Sequence, residues 1–185
     1  RELIAIADIK RGDIAKTAEM YAMAHFTGDF EADFVTLSPY MGLDSVTPYL
    51  PYVEQSGKGL FILVRTSNPG REDFQYLPSE GEPLYDIVGR KVQELGYSPV
   101  GAVIGGTSSL EAETIRAALD STFFLIPGYG AQGGKAEDIA RYLCRGNGGV
   151  VNSSRGVLLA YKKDGDEKQF AEASRKEVLR AREEI

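Results

Sequence analysis

The segment Asp8-Ile9-Lys10-Arg11-Gly12-Asp13 places two carboxylates and one ammonium group within six residues. An apolar run, Leu3–Ala7, precedes it and predicts a strand that is buried on both faces of a parallel sheet. Because side chains alternate along a strand, we expect Asp8 and Lys10 to point the same way and to form an ion pair. Asp13 would lie at the entrance of the following helix, where it could cap the helix or face a neighbouring site. Such a centre suits acid–base and electrostatic catalysis, although capping and surface charge explain the same residue types.

A second segment, residues 127–134, is rich in glycine and lies between a predicted strand and a predicted helix. Its sequence is Pro127-Gly128-Tyr129-Gly130-Ala131-Gln132-Gly133-Gly134. The backbone N–H groups of such a loop can cradle a phosphate group. The glycines also fit G-x-G-x-x-G, which is a weak indication of NADP binding because that fingerprint normally lies in the first βαβ unit.

Two further segments could bind parts of a ligand. Arg155 follows the last predicted strand, where a guanidinium can hold a phosphate through two hydrogen bonds, and a surface ion pair is the alternative. Arg65–Gly70 opens the longest predicted loop, Ser67–Glu82. Its hydroxyl and amide groups could read the edge of a heterocycle, although a turn beginning at Asn68-Pro69 explains this segment equally well.

Short apolar runs alternate with helical patterns along the chain. The runs are Leu3–Ala7, Asp33–Thr36, Leu60–Val64, Val100–Ile104, Phe123–Ile126 and Val150–Val151. The helical patterns begin at Ile14, at Asp44, at Pro83, at a capping box Ser108-Ser109-Leu110-Glu111, at Ala136 and at Glu167. This alternation predicts an α/β fold with a parallel sheet in a single domain spanning residues 1–185. We expect about six C-terminal units of a (β/α)₈ TIM barrel, since a whole barrel needs about 200 to 250 residues, and a doubly wound sheet is the alternative.

Composition restricts the function classes. A net charge of −6 and a pI near 5.0 argue against general binding to nucleic acid or acidic membranes. One cysteine excludes an internal disulfide and a thiolate metal cluster in one chain. The sequence has neither an apolar stretch of membrane-spanning length nor the features of a signal peptide, so we expect a cytoplasmic protein.

In their order along the chain, these segments resemble the orotidine 5'-monophosphate decarboxylase family. Asp8-x-Lys10-x-x-Asp13 resembles the D-x-K-x-x-D motif of that family, and Ile14 and Thr17 fit its continuation. Thr66–Pro69 resembles the pyrimidine-reading segment, and the glycine loop with Ser154-Arg155-Gly156 resembles the phosphate-binding pair. The amino-acid sequences of the loops are most similar to those of the longer bacterial branch of the family.

The resemblance implies loss of CO2 from C6 of orotidine 5'-monophosphate (OMP) to give UMP, without a cofactor or metal. Lys10 would stabilise the negative charge at C6 and then deliver a proton, with Asp8 beside the substrate carboxylate. Asp13 and Thr17 would reach into the site of a partner subunit, which implies a homodimer. The remaining implied substrate contacts are Ser67 at the pyrimidine edge, Pro127 against the ring, and Gln132 and Arg155 at the 5'-phosphate.

The sequence departs from the family in one respect. Members of the family have an earlier strand with a further lysine, and before it a strand with an aspartate that contacts the ribose. The sequence begins after both, so we expect it to be part of a longer polypeptide. Three alternatives stay open at this point. They are a Mg²⁺-dependent sugar-phosphate decarboxylase or synthase of the same superfamily, an NADP-binding α/β protein, and a non-catalytic nucleotide-binding remnant.

Overall fold

The computed structural model describes residues 3–130, 133–164 and 167–185. Strands and helices alternate along most of the chain. The strands are β1 (Ile6–Arg11), β2 (Phe34–Leu37), β3 (Gly59–Arg65), β4 (Pro78–Ser79), β5 (Glu82–Pro83), β6 (Val100–Ile104), β7 (Phe124–Pro127) and β8 (Gly149–Asn152). The helices are α1 (Ala15–Phe26), α2 (Leu50–Ser56), α3 (Leu84–Glu94), α4 (Ser109–Ala118), α5 (Ala136–Ala140), α6 (Ser154–Leu158), α7 (Tyr161–Asp164) and α8 (Phe170–Glu184).

The main sheet has six parallel strands in the order β1-β2-β3-β6-β7-β8, and β4 pairs only with β5. Each strand of the main sheet is therefore added on the same side of the one before it. A doubly wound sheet reverses direction part-way, whereas a barrel keeps one direction throughout. The winding confirms the predicted barrel class and excludes the doubly wound alternative.

The two faces of the sheet are packed differently. Along β3, Leu60 and Ile62 point into the larger cluster of buried apolar side chains, which the helices cover. Phe61 points the other way, into a small cluster with Val103 and Leu125. The larger cluster takes in one face of α1, where Ala18, Ala22 and Phe26 recur every four residues. The parallel strands therefore bring their carboxyl ends together at one edge, where the candidate site residues lie.

Five of the six predicted strands begin and end within one residue of the observed bounds, but the first prediction was wrong. Strand β1 spans Ile6–Arg11 rather than Leu3–Ala7, and Leu3 and Ile4 are 82% and 72% exposed. Pairing with β2 begins at Ile6, which places Asp8 and Lys10 inside the strand.

Two local predictions also need correction. The loop predicted over Ser67–Glu82 contains the short hairpin β4–β5, with Glu80 and Gly81 at positive φ of 55° and 89° in its turn. The capping box at α4 is not formed, because Ser108 makes no side-chain cap hydrogen bond, and the Glu111 carboxylate pairs with Arg65.

Among the described residues, no helix has both the length and the apolar content that crossing a bilayer requires.

Candidate active site

Asp8 and Lys10 form an ion pair near the carboxyl end of β1. The Nζ of Lys10 donates to Oδ1 of Asp8 at 2.6 Å, and the two side chains are about half exposed. Thr36, which is fully buried on β2, donates its hydroxyl to the same Oδ1 at 3.0 Å. The predicted ion pair is therefore present. An ammonium group has three N–H donors, so this pair leaves Lys10 able to contact a substrate anion.

The backbone at Lys10 is strained. Its φ of +48° lies in the left-handed region, and the register between β1 and β2 shifts between Ala7 and Arg11. The displaced N–H of Lys10 donates to Oγ1 of Thr36 at 2.8 Å. Thr36 thus holds both the backbone of the lysine and the carboxylate of its partner. Strained backbone held in this way is concentrated at functional sites.

Asp13 does not cap the first helix. Its Oδ1 accepts a hydrogen bond from the N–H of the next residue, Ile14, at 2.8 Å, and α1 begins at Ala15 without a side-chain cap. Asp13 is half-buried, and Thr17, in the first turn of α1, is exposed. The capping interpretation of Asp13 is therefore wrong.

The segment after β3 is fixed by side chains of its own loop. The N–H of Thr66 donates to Oε1 of Gln75 at 2.8 Å, and Nε2 of Gln75 donates to Oγ1 of Thr66 at 2.8 Å. The Thr66 hydroxyl then donates to Oδ1 of Asn68 at 2.6 Å. Ser67 lies between Thr66 and Asn68. It packs against Gly105, where an added Cβ would come within 2.8 Å of the Ser67 nitrogen. This segment is therefore more than an ordinary turn.

Pro127 and Arg155 lie together at the other end of the sheet edge. A small cleft brings together the residues that follow β7 and β8, and its lining is Pro127, Gly128, Tyr129, Asn152, Ser153, Ser154 and Arg155. The hydroxyl of Ser153 donates to the carbonyl oxygen of Tyr129 at 3.1 Å and joins the two loops. Strand β8 ends at Asn152, so Arg155 lies in the first turn of α6 rather than at the strand end. Its side chain is exposed to solvent.

The glycine loop differs from the predicted cradle. The N–H of Gly130 donates to the carbonyl of Gly134, and the N–H of Gly134 donates to the carbonyl of Gly128, each at 3.0 Å. These backbone donors are therefore used within the loop, and Arg155 is the charged group that faces the cleft. Gln132, the other predicted phosphate contact, lies outside the described residues together with Ala131.

Two supporting residues were missed by the sequence analysis. Thr36 had a usable signal, because it is a polar residue inside the apolar run Phe34–Leu37. Glu184 had none, because it lies in the highly charged last helix. Its Oε2 accepts a hydrogen bond from the hydroxyl of Tyr129 at 2.7 Å and so ties the glycine loop to α8. Burial raises the pKa of the Tyr129 hydroxyl, which keeps it protonated as the donor.

Comparison with known proteins decides the family. The model of the orotidine 5'-phosphate decarboxylase / HUMPS family matches residues 1–170. The chain belongs to this family. It is 60% identical over 191 residues to the orotidine 5'-phosphate decarboxylase of Clostridium tetani, covering 98% of this chain and 66% of the relative. It is 59% identical over 195 residues to that of Clostridium acetobutylicum, covering 100% and 68%.

A solved structure of the family has the same fold. The structure of Leishmania donovani OMP decarboxylase superposes with a TM-score of 0.77 at 32% identity, covering 96% of this chain and 67% of that one. The chain thus spans about two thirds of the length of the family members that it matches. The two bacterial relatives are orotidine 5'-phosphate decarboxylases, and neither the sugar-phosphate nor the NADP alternative gains support from the matches.

Proposed function

We propose that this family member decarboxylates OMP to UMP and CO2 without a cofactor. The observation that carries the proposal is the ion pair of Asp8 and Lys10 at the carboxyl edge of a parallel sheet, where ligands bind in this class of fold. Relatives at 59 and 60% identity are named for this activity. The arrangement supplies an ammonium group beside a carboxylate, which suits a reaction that develops negative charge and then takes up a proton.

In the proposed mechanism, the bond between C6 and the substrate carboxylate breaks and its electron pair stays on C6. Lys10 stabilises that pair electrostatically and transfers a proton to C6, and the resulting neutral amine regains a proton from water. Asp8 holds the Lys10 ammonium group in place through the ion pair and lies beside the substrate carboxylate. Stabilisation of developing charge by preorganised groups is a general device of enzymes.

The substrate contacts form the second part of the proposal. Ser67 bonds the pyrimidine edge, Pro127 packs against the ring, and Gln132 and Arg155 hold the 5'-phosphate. The support is that Pro127 and Arg155 line one cleft and that Ser67 lies in a fixed segment at the same sheet edge. Binding energy from a remote phosphate can then serve the reacting centre.

The activity is tested by incubating the complete natural polypeptide with OMP labelled in its carboxylate. We expect labelled CO2 and UMP in equal amounts, at a rate that a chelator of divalent metals does not change. Absence of turnover would contradict the proposal. Turnover that stops with the chelator and returns with Mg²⁺ would favour the sugar-phosphate branch of the superfamily.

We also propose a homodimer with shared active sites, in which Asp13 and Thr17 reach the site of the partner. Support comes from their position in the segment that leads from β1 into α1 and from the exposure of Thr17. Lys10→Ala and Asp13→Ala variants should each be inactive alone. Mixed after partial unfolding, they should regain about one quarter of wild-type activity, because half of the dimers are hybrids and each has one intact site. A mixture as inactive as its parts would contradict shared sites.

The last part of the proposal concerns the domain organisation, the location and the partners. We propose that the chain forms one domain, since one apolar cluster includes side chains from α1 through α8. We propose a cytoplasmic location and small-molecule partners rather than nucleic acid, which agrees with the net charge of −6. Size-exclusion chromatography with and without DNA tests whether nucleic acid is a partner. Co-elution of the protein with DNA would contradict the proposal.

A further inference from the structure

Arg65 is the last residue of β3, and its side chain is fully buried. Its Nε donates to the hydroxyl oxygen of Tyr76 at 3.1 Å, and its Nη1 donates to the carbonyl oxygen of Gly105 at 2.6 Å. Its Nη2 lies 2.8 Å from Oε2 of Glu111, an ion pair whose contact is off the hydrogen-bond axis. The Tyr76 hydroxyl donates to the same Oε2 at 2.7 Å. One guanidinium therefore joins the loop after β3, the end of β6 and the start of α4.

These contacts lead directly to the segment that carries Ser67. Gly105 is bonded to Arg65 in both directions, because its N–H also donates to the Arg65 carbonyl at 2.7 Å. Gly105 is the wall against which Ser67 packs, since a Cβ there would come within 2.8 Å of the Ser67 nitrogen. The next residue, Gly106, donates its N–H to the carbonyl of Pro127 at 2.8 Å. The chain at 105–106 thus connects Ser67 with Pro127.

An arginine at this place is better explained by geometry than by stability. Compared with apolar side chains of similar volume, a buried ion pair adds little net stability, because the loss of hydration offsets the attraction between the charges, although removing one partner alone is destabilising. A guanidinium, in contrast, presents its N–H groups in a rigid planar fork and so fixes the direction of several partners at once. Burial lowers the pKa of Arg65, but Tyr142, Tyr76 and Glu111 raise it overall, so the fork stays charged.

We propose that Arg65 is a positioning residue that sets the place of Ser67 relative to Pro127, and through it the selectivity of the site for a pyrimidine ring. Arg65 acts through Gly105 and the loop that carries Tyr76, not by touching the substrate. The inference rests on the proposed function, since it assigns a device to the same site.

The test compares two ligands that share a phosphate but differ in the base. The Arg65→Lys variant of the complete natural polypeptide keeps the charge and loses the fork. We expect it to bind UMP about tenfold more weakly, a change of about one power of ten in the dissociation constant. Binding of ribose 5-phosphate should stay within about twofold, because the phosphate contacts lie after β7 and β8. Isothermal titration calorimetry measures both dissociation constants. The fold decrease in kcat for OMP should also exceed the fold change in the dissociation constant of ribose 5-phosphate.

Arg116→Lys is the matched control. Arg116 stacks on the ring of Phe124 at 3.8 Å and donates to the carbonyl of Thr122 at 2.8 Å, which places it near the amino end of β7. Its replacement should lower thermal stability without changing the ratio of the two dissociation constants. If Arg65→Lys does not fold, Tyr76→Phe removes one hydroxyl from the network and should change the ratio in the same direction, by about threefold.

Two results would overturn the inference. One is an Arg65→Lys protein, or a Tyr76→Phe protein in its place, that binds UMP as the wild type does. The other is an equal loss of both ligands, which is what general destabilisation produces. Failure of the proposed function is distinguishable, because the wild-type protein itself would then neither bind UMP nor convert OMP.

Discussion

The charged centre on β1 and the arginine network on β3 are built in opposite ways. Lys10 and Asp8 are about half exposed and lie on an outer strand of the described sheet, supported mainly by the buried Thr36. Arg65 lies on an inner strand, is fully buried and contacts Tyr76, Gly105 and Glu111. Under the proposed function, this difference separates two tasks. The groups that would react stay accessible to a ligand, whereas Arg65, which we propose positions Ser67, is buried.

The largest effect is expected from Lys10→Ala. Turnover of OMP should fall by at least about a thousandfold, because the electrostatic and proton-donating roles are lost together. The free energy of unfolding should change by less than about 0.5 kcal/mol, since the pair is exposed. Steady-state kinetics and urea unfolding measure the two quantities, and UMP binding should remain measurable.

The control for that variant is Lys16→Ala, which removes an exposed lysine paired with Glu19 on α1. It should retain wild-type turnover. If Lys10→Ala kept substantial kcat, or lost as much stability as a core variant, the contrast between an accessible centre and a buried network would be wrong.

The second largest effect is expected from Arg155→Ala, in the first turn of α6, which follows the opposite outer strand β8. Loss of a charge-assisted contact with the 5'-phosphate should weaken UMP binding by about 2 to 3 kcal/mol. Uridine, which lacks the phosphate, should bind as before. Arg155→Lys keeps the charge and should recover part of the loss, and stability should be unchanged because the side chain is exposed. If UMP and uridine still differed in affinity as they do for the wild type, the phosphate assignment would fail.

A change in the buried network should instead appear in stability. Burial raises the pKa of the Glu111 carboxyl, but the hydrogen bond from Tyr76 and the charge of Arg65 outweigh burial and hold that pKa below its usual 4.5. The contribution of the ionised Glu111 carboxylate to folding stability is therefore complete above pH 4.5. It is lost as the pH falls through the lowered pKa of Glu111 in the folded protein. Glu111→Gln should cost about 2 kcal/mol of unfolding free energy at pH 7.

Urea unfolding of the wild type and Glu111→Gln between pH 7 and pH 3 measures this dependence. The difference in unfolding free energy between the two proteins should decrease only at the acidic end of this pH range. Glu113→Gln is a suitable control, because Glu113 is 73% exposed in its pair with Arg141. A gap that stayed constant with pH, or one of the same size for Glu113→Gln, would show that Glu111 is not held as an ion by the network.

The two regions also differ in how far the sequence predicts them. The ion pair of Asp8 and Lys10 follows from strand periodicity, because residues two apart on a strand share a face. The strands follow from continuous apolar runs and are predicted within one residue for five of six. The network of Arg65 depends on residues 11 to 46 positions away, and local patterns carry no information about such pairs.

The first strand and the capping box show why local rules fail at this site. The apolar run Leu3–Ala7 predicts a strand, but pairing with β2 begins only at Ile6. Ser108 and Glu111 have the spacing of a capping box, yet the buried charge of Arg65 attracts the carboxylate of Glu111. In both cases a tertiary contact overrides the preference of a short segment.

The smallest effect is expected from Thr36→Val, which tests the support of the charged centre. Valine has nearly the same shape, but it neither donates to Asp8 nor accepts the N–H of Lys10. The left-handed backbone of Lys10 then loses a hydrogen bond, and we expect kcat to fall about tenfold, equivalent to about 1.4 kcal/mol. KM should change little, and Thr36→Ser, which keeps the hydroxyl, should restore kcat. If valine and serine gave the same kcat, the lysine would be positioned by its own strand alone, and buried support would be a property of β3 but not of β1.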